Sequence, residues 1–270
     1  MTEHFVDIYI ITRNRDKFFE EALNSVLELN YKNYNIIISD NSSNNNIEKL
    51  LIKKYFIDKN RIKYIKRHQN FKLFEHIKHI FNESQSDYLV IFHDDDILEK
   101  NFLKKSIPYF DVNKKVCAIG INGITIDENS QSTFKRKLMY NSNTNKIFKN
   151  PITFLYQYFG YKTLGVCHHS GYIYDLKKVK KIINLIDFSS NSNSLDVYYL
   201  AKFLEYYEIL YISKPLMKVR FHKYNLNFNQ TLQDRFFILN KIRYELAKNE
   251  IYLINSFRYC LYFFGKKILF

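Results

Sequence analysis

Tyr88–Phe102 reads YLVIFHDDDILEKNF. The run from Tyr88 to Phe92 is apolar and aromatic without alternation, the signature of a strand buried on both faces of a sheet. Three aspartates, Asp94, Asp95 and Asp96, follow it directly. In an open α/β sheet ligands bind beyond the carboxyl ends of the strands, so an acidic cluster at such an end marks a site.

Working outward, VDIYIIT (6–12), YNIIISD (34–40) and RIKYIKR (61–67) read as further strands. Between the first two, Phe19, Ala22, Leu23, Val26 and Leu27 recur near a 3.6 period, with Asp16 placed to cap the helix. A second helix is expected over Asn70 to Phe81, and another over ILEKNFLKKSI, for which Asp96 and Glu99 form a capping pattern. Strand and helix alternate over the first 110 or so residues, which predicts an α/β fold: a mostly parallel sheet flanked by helices. Later, VCAIGINGITID reads as a strand or hairpin, Thr153–Phe159 and Leu195–Tyr207 as helices, and ILYISKPLMKVRFH as two short strands broken at Pro215. One catalytic domain over residues 1–229 is expected, divided at 115/116, with basic, aromatic helices over 230–270 as a C-terminal helical appendage.

The chain has 270 residues, 46% of them hydrophobic, enough for a full core. Its formal net charge of +14 favours partners carrying phosphate, namely nucleotides, nucleic acid or an anionic membrane surface. The three cysteines, Cys117, Cys167 and Cys260, lie far apart and suggest neither a disulfide framework nor a zinc site. The first residues carry Asp7, Arg13 and Arg15 and no apolar signal core, so a cytoplasmic chain is expected.

Neither GxxxxGK[ST] nor GxGxxG occurs, so phosphate must be held by something other than a glycine-rich loop. The aspartates offer a way. Mg²⁺ or Mn²⁺ accepts carboxylate oxygens, and side chains at i and i+2 of an extended segment share a face, so Asp94 and Asp96 can converge on one ion with Asp95 as a competing ligand. Capping would account for one acid, Asp96, but not for three. Asp40, at the end of the second strand in ISDNSSNN, can accept from a base or ribose hydroxyl or can serve as a turn former.

VDIYIITRNRDKFFEEALNSVLELNYKNYNIIISDNSSNNN resembles the opening of the family 2 glycosyltransferases of GT-A fold, and FHDDDIL resembles their DXD metal motif. SLDVYYLAKFLEYYEILYISKPL and VRFHKYN resemble the acceptor-side part of the same family, so the resemblance runs from about Val6 to about Asn225. It implies an inverting, metal-dependent enzyme using Mn²⁺ or Mg²⁺. The donor would be a nucleotide diphosphate sugar, a UDP-sugar first, and the acceptor a bacterial surface glycan such as lipopolysaccharide or capsule, free or lipid-linked. By the same resemblance, Thr12, Arg13, Asn14, Arg15, Asp40, Lys72, Asp94 and Asp95 surround the nucleotide, Asp94 and Asp96 hold the metal, and Asp196 is the catalytic base. His168, His169, Ser170 and His222 fall on the acceptor side.

Three departures stand out. Arg13 replaces an aromatic that many members carry; HQNFKLF replaces an Asn-x-Gly segment, leaving Arg67 or Lys72 for the phosphate; and His93 occupies the first position of the aspartate motif. Other readings of single residues remain open here: Asp196 as a helix cap, His222 as a structural imidazole, and HHSG (168–171) as part of a hydrolase.

Two rival functions fit parts of the sequence. A nucleotidyltransferase would also use metal-binding acids, and a nucleic-acid-binding protein would use the basic charge, but the latter gives no reason for the aspartates; no nucleic-acid partner is expected. The tail carries Arg235, Lys241, Arg243, Lys248, Arg258, Lys266 and Lys267 among aromatics. This predicts either peripheral contact with the inner face of the cell membrane or packing on the domain.

Overall fold

The computed structural model describes residues 4–55, 62–68, 71–132, 138–159, 164–187 and 195–222. In chain order the elements are β1 (Val6–Thr12), α1 (Phe19–Leu27), β2 (Tyr34–Asp40), α2 (Asn46–Lys54), β3 (Ile62–Lys66), α3 (Leu73–Glu83), β4 (Tyr88–His93) and β5 (Ile97–Leu98). There follow α4 (Phe102–Ser106), α5 (Pro108–Val112), β6 (Val116–Ile126), β7 (Lys146–Phe148), α6 (Pro151–Phe159), β8 (Tyr172–Asp175), α7 (Leu176–Val179), α8 (Leu195–Phe203) and β9 (Glu208–Arg220).

One sheet runs β3-β2-β1-β4-β8-β6-β9-β5, with β7 paired to β9. From β3 to β4 every pairing is parallel. Beyond β4 the sheet is mixed, because β8 runs antiparallel to both β4 and β6. The α/β expectation holds, with the parallel character confined to β3-β2-β1-β4 and to the β6–β9 pair.

Period-two alternation divides the core. Tyr9, Ile11, Leu89 and Ile91 face α3, α6 and α8, while Val6, Ile8, Ile10, Val90 and Phe92 face the layer of α1, α2, α4 and α5. Both faces of β1 and β4 are therefore covered, which is why Ile8–Ile11 and Tyr88–Phe92 run apolar without alternation.

Several local expectations are corrected. Asp16 does not cap α1 with its side chain; its carboxylate accepts from Asn46 Nδ2 at 3.0 Å, at the start of α2. Ile97–Leu98 pair with β9 as a strand, and the helix starts only at Phe102, so Asp96 caps nothing. Of the two readings of VCAIGINGITID, strand or hairpin, the first holds, as one strand of 11 residues. The segment around Pro215 is likewise one strand of 13 residues. Proline cannot donate to the ladder, and the register slips where Asn122 opposes it. There the Asn122 amide donates to Ser213 O, and to Tyr140 O, and accepts from Tyr140 N. The division at 229/230 and the C-terminal helices lie outside the described residues. Among the described residues no helix is long and apolar enough to cross a membrane.

Candidate active site

Parallel register brings the strand ends level: Thr12 lies opposite Asp40, and Ile11 opposite His93. The aspartate turn follows immediately. Antiparallel β8 enters beside the end of β4, so His168, His169 and Ser170, which precede it, reach the same rim, where the Ser170 hydroxyl accepts from the His93 backbone N–H at 3.1 Å. β9 ends there too and delivers Arg220 and His222.

Asp94, Asp95 and Asp96 are all buried, and each carboxylate has a different neighbour. Asp94 Oδ1 accepts from Arg15 at 2.5 Å. Asp95 Oδ2 accepts from the other Arg15 terminal nitrogen at 3.0 Å and lies 2.9 Å from His222 Nε2. Asp96 Oδ1 accepts from the Arg220 backbone N–H at 2.9 Å, and its Oδ2 lies 3.3 Å from His168 Nδ1 without the alignment of a hydrogen bond. Asp94 and Asp95 lie in a turn, so the i, i+2 argument for an extended segment does not apply to them. His93, Asp96 and His168 each offer a ligand atom within 4.8 Å of the others. A first-row divalent ion holds its ligands about 3–4.5 Å apart, so small side-chain rotations would seat one.

Burial shapes the charge states. It pushes the Asp94 carboxyl upward, against the pull of Arg15. For Asp95 burial is outweighed by the hydrogen bond to His222 and by Arg15, which together hold it well below the usual carboxylate range. Burial lowers His93 to about 4, so it is a neutral imidazole at neutral pH, the form that ligates a cation. Burial also works against His168 as a cation, but Asp96, Asp95 and Asp196 prevail and raise it.

Arg220 was not singled out by the sequence beyond its place in VRFHKYN, yet it holds the turn together. It is 1% exposed. Its Nε donates to Asp95 O at 2.9 Å, one terminal nitrogen to Asp127 O and Ser130 Oγ at 3.0 Å, and the other to Glu21. The Phe18 ring stacks under the guanidinium at 4.4 Å. An arginine closing an apolar strand is the signal that could have found it.

The remaining expected residues are distributed as follows. Thr12 is buried and its hydroxyl donates to Arg15 O at 3.2 Å. Asn14 takes a left-handed φ of 53° and latches this loop to the next, its N–H donating to Ser42 Oγ at 2.7 Å and its Oδ1 accepting from Ser43 N at 2.9 Å. Arg13 is exposed on the same loop. Asp40 forms an Asx turn with Ser42 N at 2.8 Å and accepts from Tyr64 OH and Lys66 Nζ at 2.8 and 3.1 Å. Arg67 cannot serve a phosphate, being buried against Ser39 and Glu83. Lys72 is exposed at the start of α3, where its N–H donates to Glu75 at 3.2 Å. Ser170 is engaged with backbone and not with an imidazole, so the hydrolase reading of HHSG fails.

Asp196 stands in the first turn of α8. Burial pushes its carboxyl up to about 6, although backbone N–H groups and His168 pull the other way. Among the described residues, the buried side-chain polar atoms without a hydrogen bond are Asp94 Oδ2, Asp96 Oδ2, His168 Nδ1 and Asp196 Oδ1. Folded proteins leave few such atoms, and here two of the four, Asp96 Oδ2 and His168 Nδ1, lie 3.3 Å apart.

The profile described as "Glycosyl transferase family 2" matches residues 7–183. No curated protein matches the sequence. Among solved structures, S. aureus TarS 1-349 in complex with UDP-GlcNAc is similar with a TM-score of 0.65 at 15% identity, covering 90% of this chain and 66% of that one. The mannosyltransferase PcManGT from Pyrobaculum calidifontis, in complex with GDP-Man and Mn²⁺, gives a TM-score of 0.57 at 11% identity, over 83% of this chain and 59% of that one. The chain thus spans less than two thirds of the length of either. At these identities the likeness is one of fold, the GT-A architecture.

Proposed function

Since the chain belongs to glycosyl transferase family 2, we propose that it is an inverting glycosyltransferase, moving a sugar from a nucleotide diphosphate donor to a hydroxyl of a glycan acceptor. The observation that carries this reading is a set of buried polar atoms without a hydrogen bond, Asp94 Oδ2 and Asp96 Oδ2 just past the carboxyl end of β4, His168 Nδ1 beside Asp96, and Asp196 Oδ1 in the first turn of α8. The nucleotide-sugar complexes of TarS and PcManGT support the donor class. A UDP-sugar and a bacterial surface glycan are the donor and acceptor that the family resemblance suggests.

In this reading His93, Asp96 and His168 hold a divalent cation. Two imidazoles and one carboxylate make a softer set than oxygen alone, which favours Mn²⁺ over Mg²⁺. When bound, the cation would offset the negative charge of the departing diphosphate. Arg15 holds Asp94 and Asp95 in place and presents positive charge beside the diphosphate. Asp94 Oδ2 is left to accept from the donor, and Thr12 and Asp40 line the nucleoside end of the groove. Asp196 removes the acceptor's hydroxyl proton as that oxygen attacks the anomeric carbon from the face opposite the diphosphate. The nucleoside diphosphate leaves with the bonding pair, and the sugar's configuration inverts. A carboxyl at about 6 is ionised at neutral pH yet basic enough for this step.

The test is titration of the purified protein with UDP, GDP, dTDP and CDP, with and without Mn²⁺, by calorimetry or thermal shift. Manganese-dependent stabilisation by one diphosphate is expected and identifies the donor class. Stabilisation by none of them would refute the reading, as would release of pyrophosphate from a nucleoside triphosphate, the product of a nucleotidyltransferase.

A further inference from the structure

Behind the cation cradle lies a line of rings that the transfer chemistry leaves unused. His93 Nε2 lies 3.2 Å from His169 Nδ1. His169 Nε2 is hydrogen-bonded to the Tyr199 hydroxyl, which lies 3.2 Å from the Tyr174 hydroxyl. His169, Tyr174 and Tyr199 are buried, so bulk water cannot replace a missing partner. Four separate elements contribute: the end of β4, the turn before β8, β8 itself and α8.

An imidazole binds a cation through a nitrogen lone pair, and its other nitrogen then carries the hydrogen. With His93 Nε2 turned to His169, Nδ1 is the atom left for the cradle. His93 must then donate from Nε2 to His169 Nδ1. It follows that His169 carries its hydrogen on Nε2 and donates to Tyr199, whose own hydrogen goes to the Tyr174 oxygen. In the reverse order the hydrogen sits on His93 Nδ1, and no lone pair faces the cradle.

We propose that the Tyr199 hydroxyl is a positioning group for the cation site: as the acceptor for His169, it holds His93 in the tautomer that can bind a divalent cation. This rests on the cradle proposed above. Tyr199 is not among the groups of the cradle. Its ring packs edge-on against Phe81 and tilted against Phe203, and Tyr199→Phe preserves both contacts while removing the acceptor.

The experiment titrates the full chain with MnCl₂ alone by calorimetry and, on metal-free protein labelled with ¹⁵N-histidine, reads the His93 tautomer by NMR. Tyr199→Phe is expected to bind Mn²⁺ about 10- to 100-fold more weakly, as loss of an outer partner of a ligating histidine does. It should also shift His93 from the Nε2–H toward the Nδ1–H form, a signature that general loosening would not give. Unchanged affinity and an unchanged tautomer would overturn the proposal and leave the cradle standing. Wild-type protein that does not bind Mn²⁺, or binding that survives Asp96→Asn, would overturn the cradle and this inference with it. Should Tyr199→Phe fail to fold, His169→Phe removes the acceptor of His93 Nε2–H itself, and an unchanged His93 tautomer there would overturn it as well.

Discussion

Replacing Arg220 with methionine keeps the length and apolar stem of the side chain and removes every donor. The backbone N–H to Asp96 survives, but the Asp95 carbonyl loses its partner inside the protein. An orphaned buried acceptor costs about 1–3 kcal/mol. The Asp127 carbonyl and Ser130 hydroxyl are only part-buried, so water can replace the arginine there at about 0.5 kcal/mol each. Glu21 is 44% exposed and rehydrates, so its ion pair adds no more than about 1 kcal/mol. The total is about 3 kcal/mol, at the lower edge of what breaking a buried ion pair costs. With a slope of about 3 kcal/mol per M for a chain of this size, the urea midpoint should fall by about 1 M. Circular dichroism or tyrosine emission can follow it, since the chain has 23 tyrosines and no tryptophan. Mn²⁺ binding should weaken as well, because the freed turn carries Asp96. A variant with an unchanged midpoint and unchanged Mn²⁺ affinity would refute the argument that Arg220 organises the aspartates.

Asp196→Asn should leave nucleotide binding nearly normal and lower turnover by about 10²- to 10⁴-fold. In the wild type turnover should fall as pH drops through about 6, since the base acts only when ionised; a flat profile from pH 5 to 8 would place the base elsewhere. Asp96→Asn should abolish Mn²⁺ binding while Asp94→Asn largely keeps it, and equal losses in calorimetry would mean that both aspartates ligate the ion. Gly171→Ala should cost about 1–3 kcal/mol in thermal or urea unfolding, because a Cβ there would stand 2.9 Å from the Ile121 carbonyl oxygen and 2.5 Å from Met217 Sδ. A stability equal to wild type would show that β6 and the turn before β8 can separate at no cost.

Much of the fold was legible locally. Val6–Thr12, Tyr34–Asp40 and Tyr88–His93 announced themselves because strands buried on both faces carry unbroken apolar runs, Ile8–Ile11, Ile36–Ile38 and Tyr88–Phe92. Where two local rules competed, the sequence misled. Asp96 followed by Glu99 satisfied a capping pattern, yet Ile97–Leu98 had a strand partner in β9, more than 100 residues away. Pro215 looked like a break, yet β9 continues through it beside the register slip at Asn122, whose amide donates to Ser213 O across the pair.

The site divides in the same way. That acids cluster after β4, and that Asp40 and Thr12 end neighbouring strands, follows from composition and strand order alone, because parallel register levels the strand ends. Which atoms face one another does not. Asp94, Asp95 and Asp96 are equivalent as a string; they become different because Arg15, His222, Arg220 and His168 arrive from the β1–α1 loop, the end of β9 and the turn before β8. Those meetings depend on antiparallel β8 and on the return of β9, pairings far apart in sequence that no local pattern encodes. The chain's chemistry was written in its residues, and its division of labour was decided by the sheet.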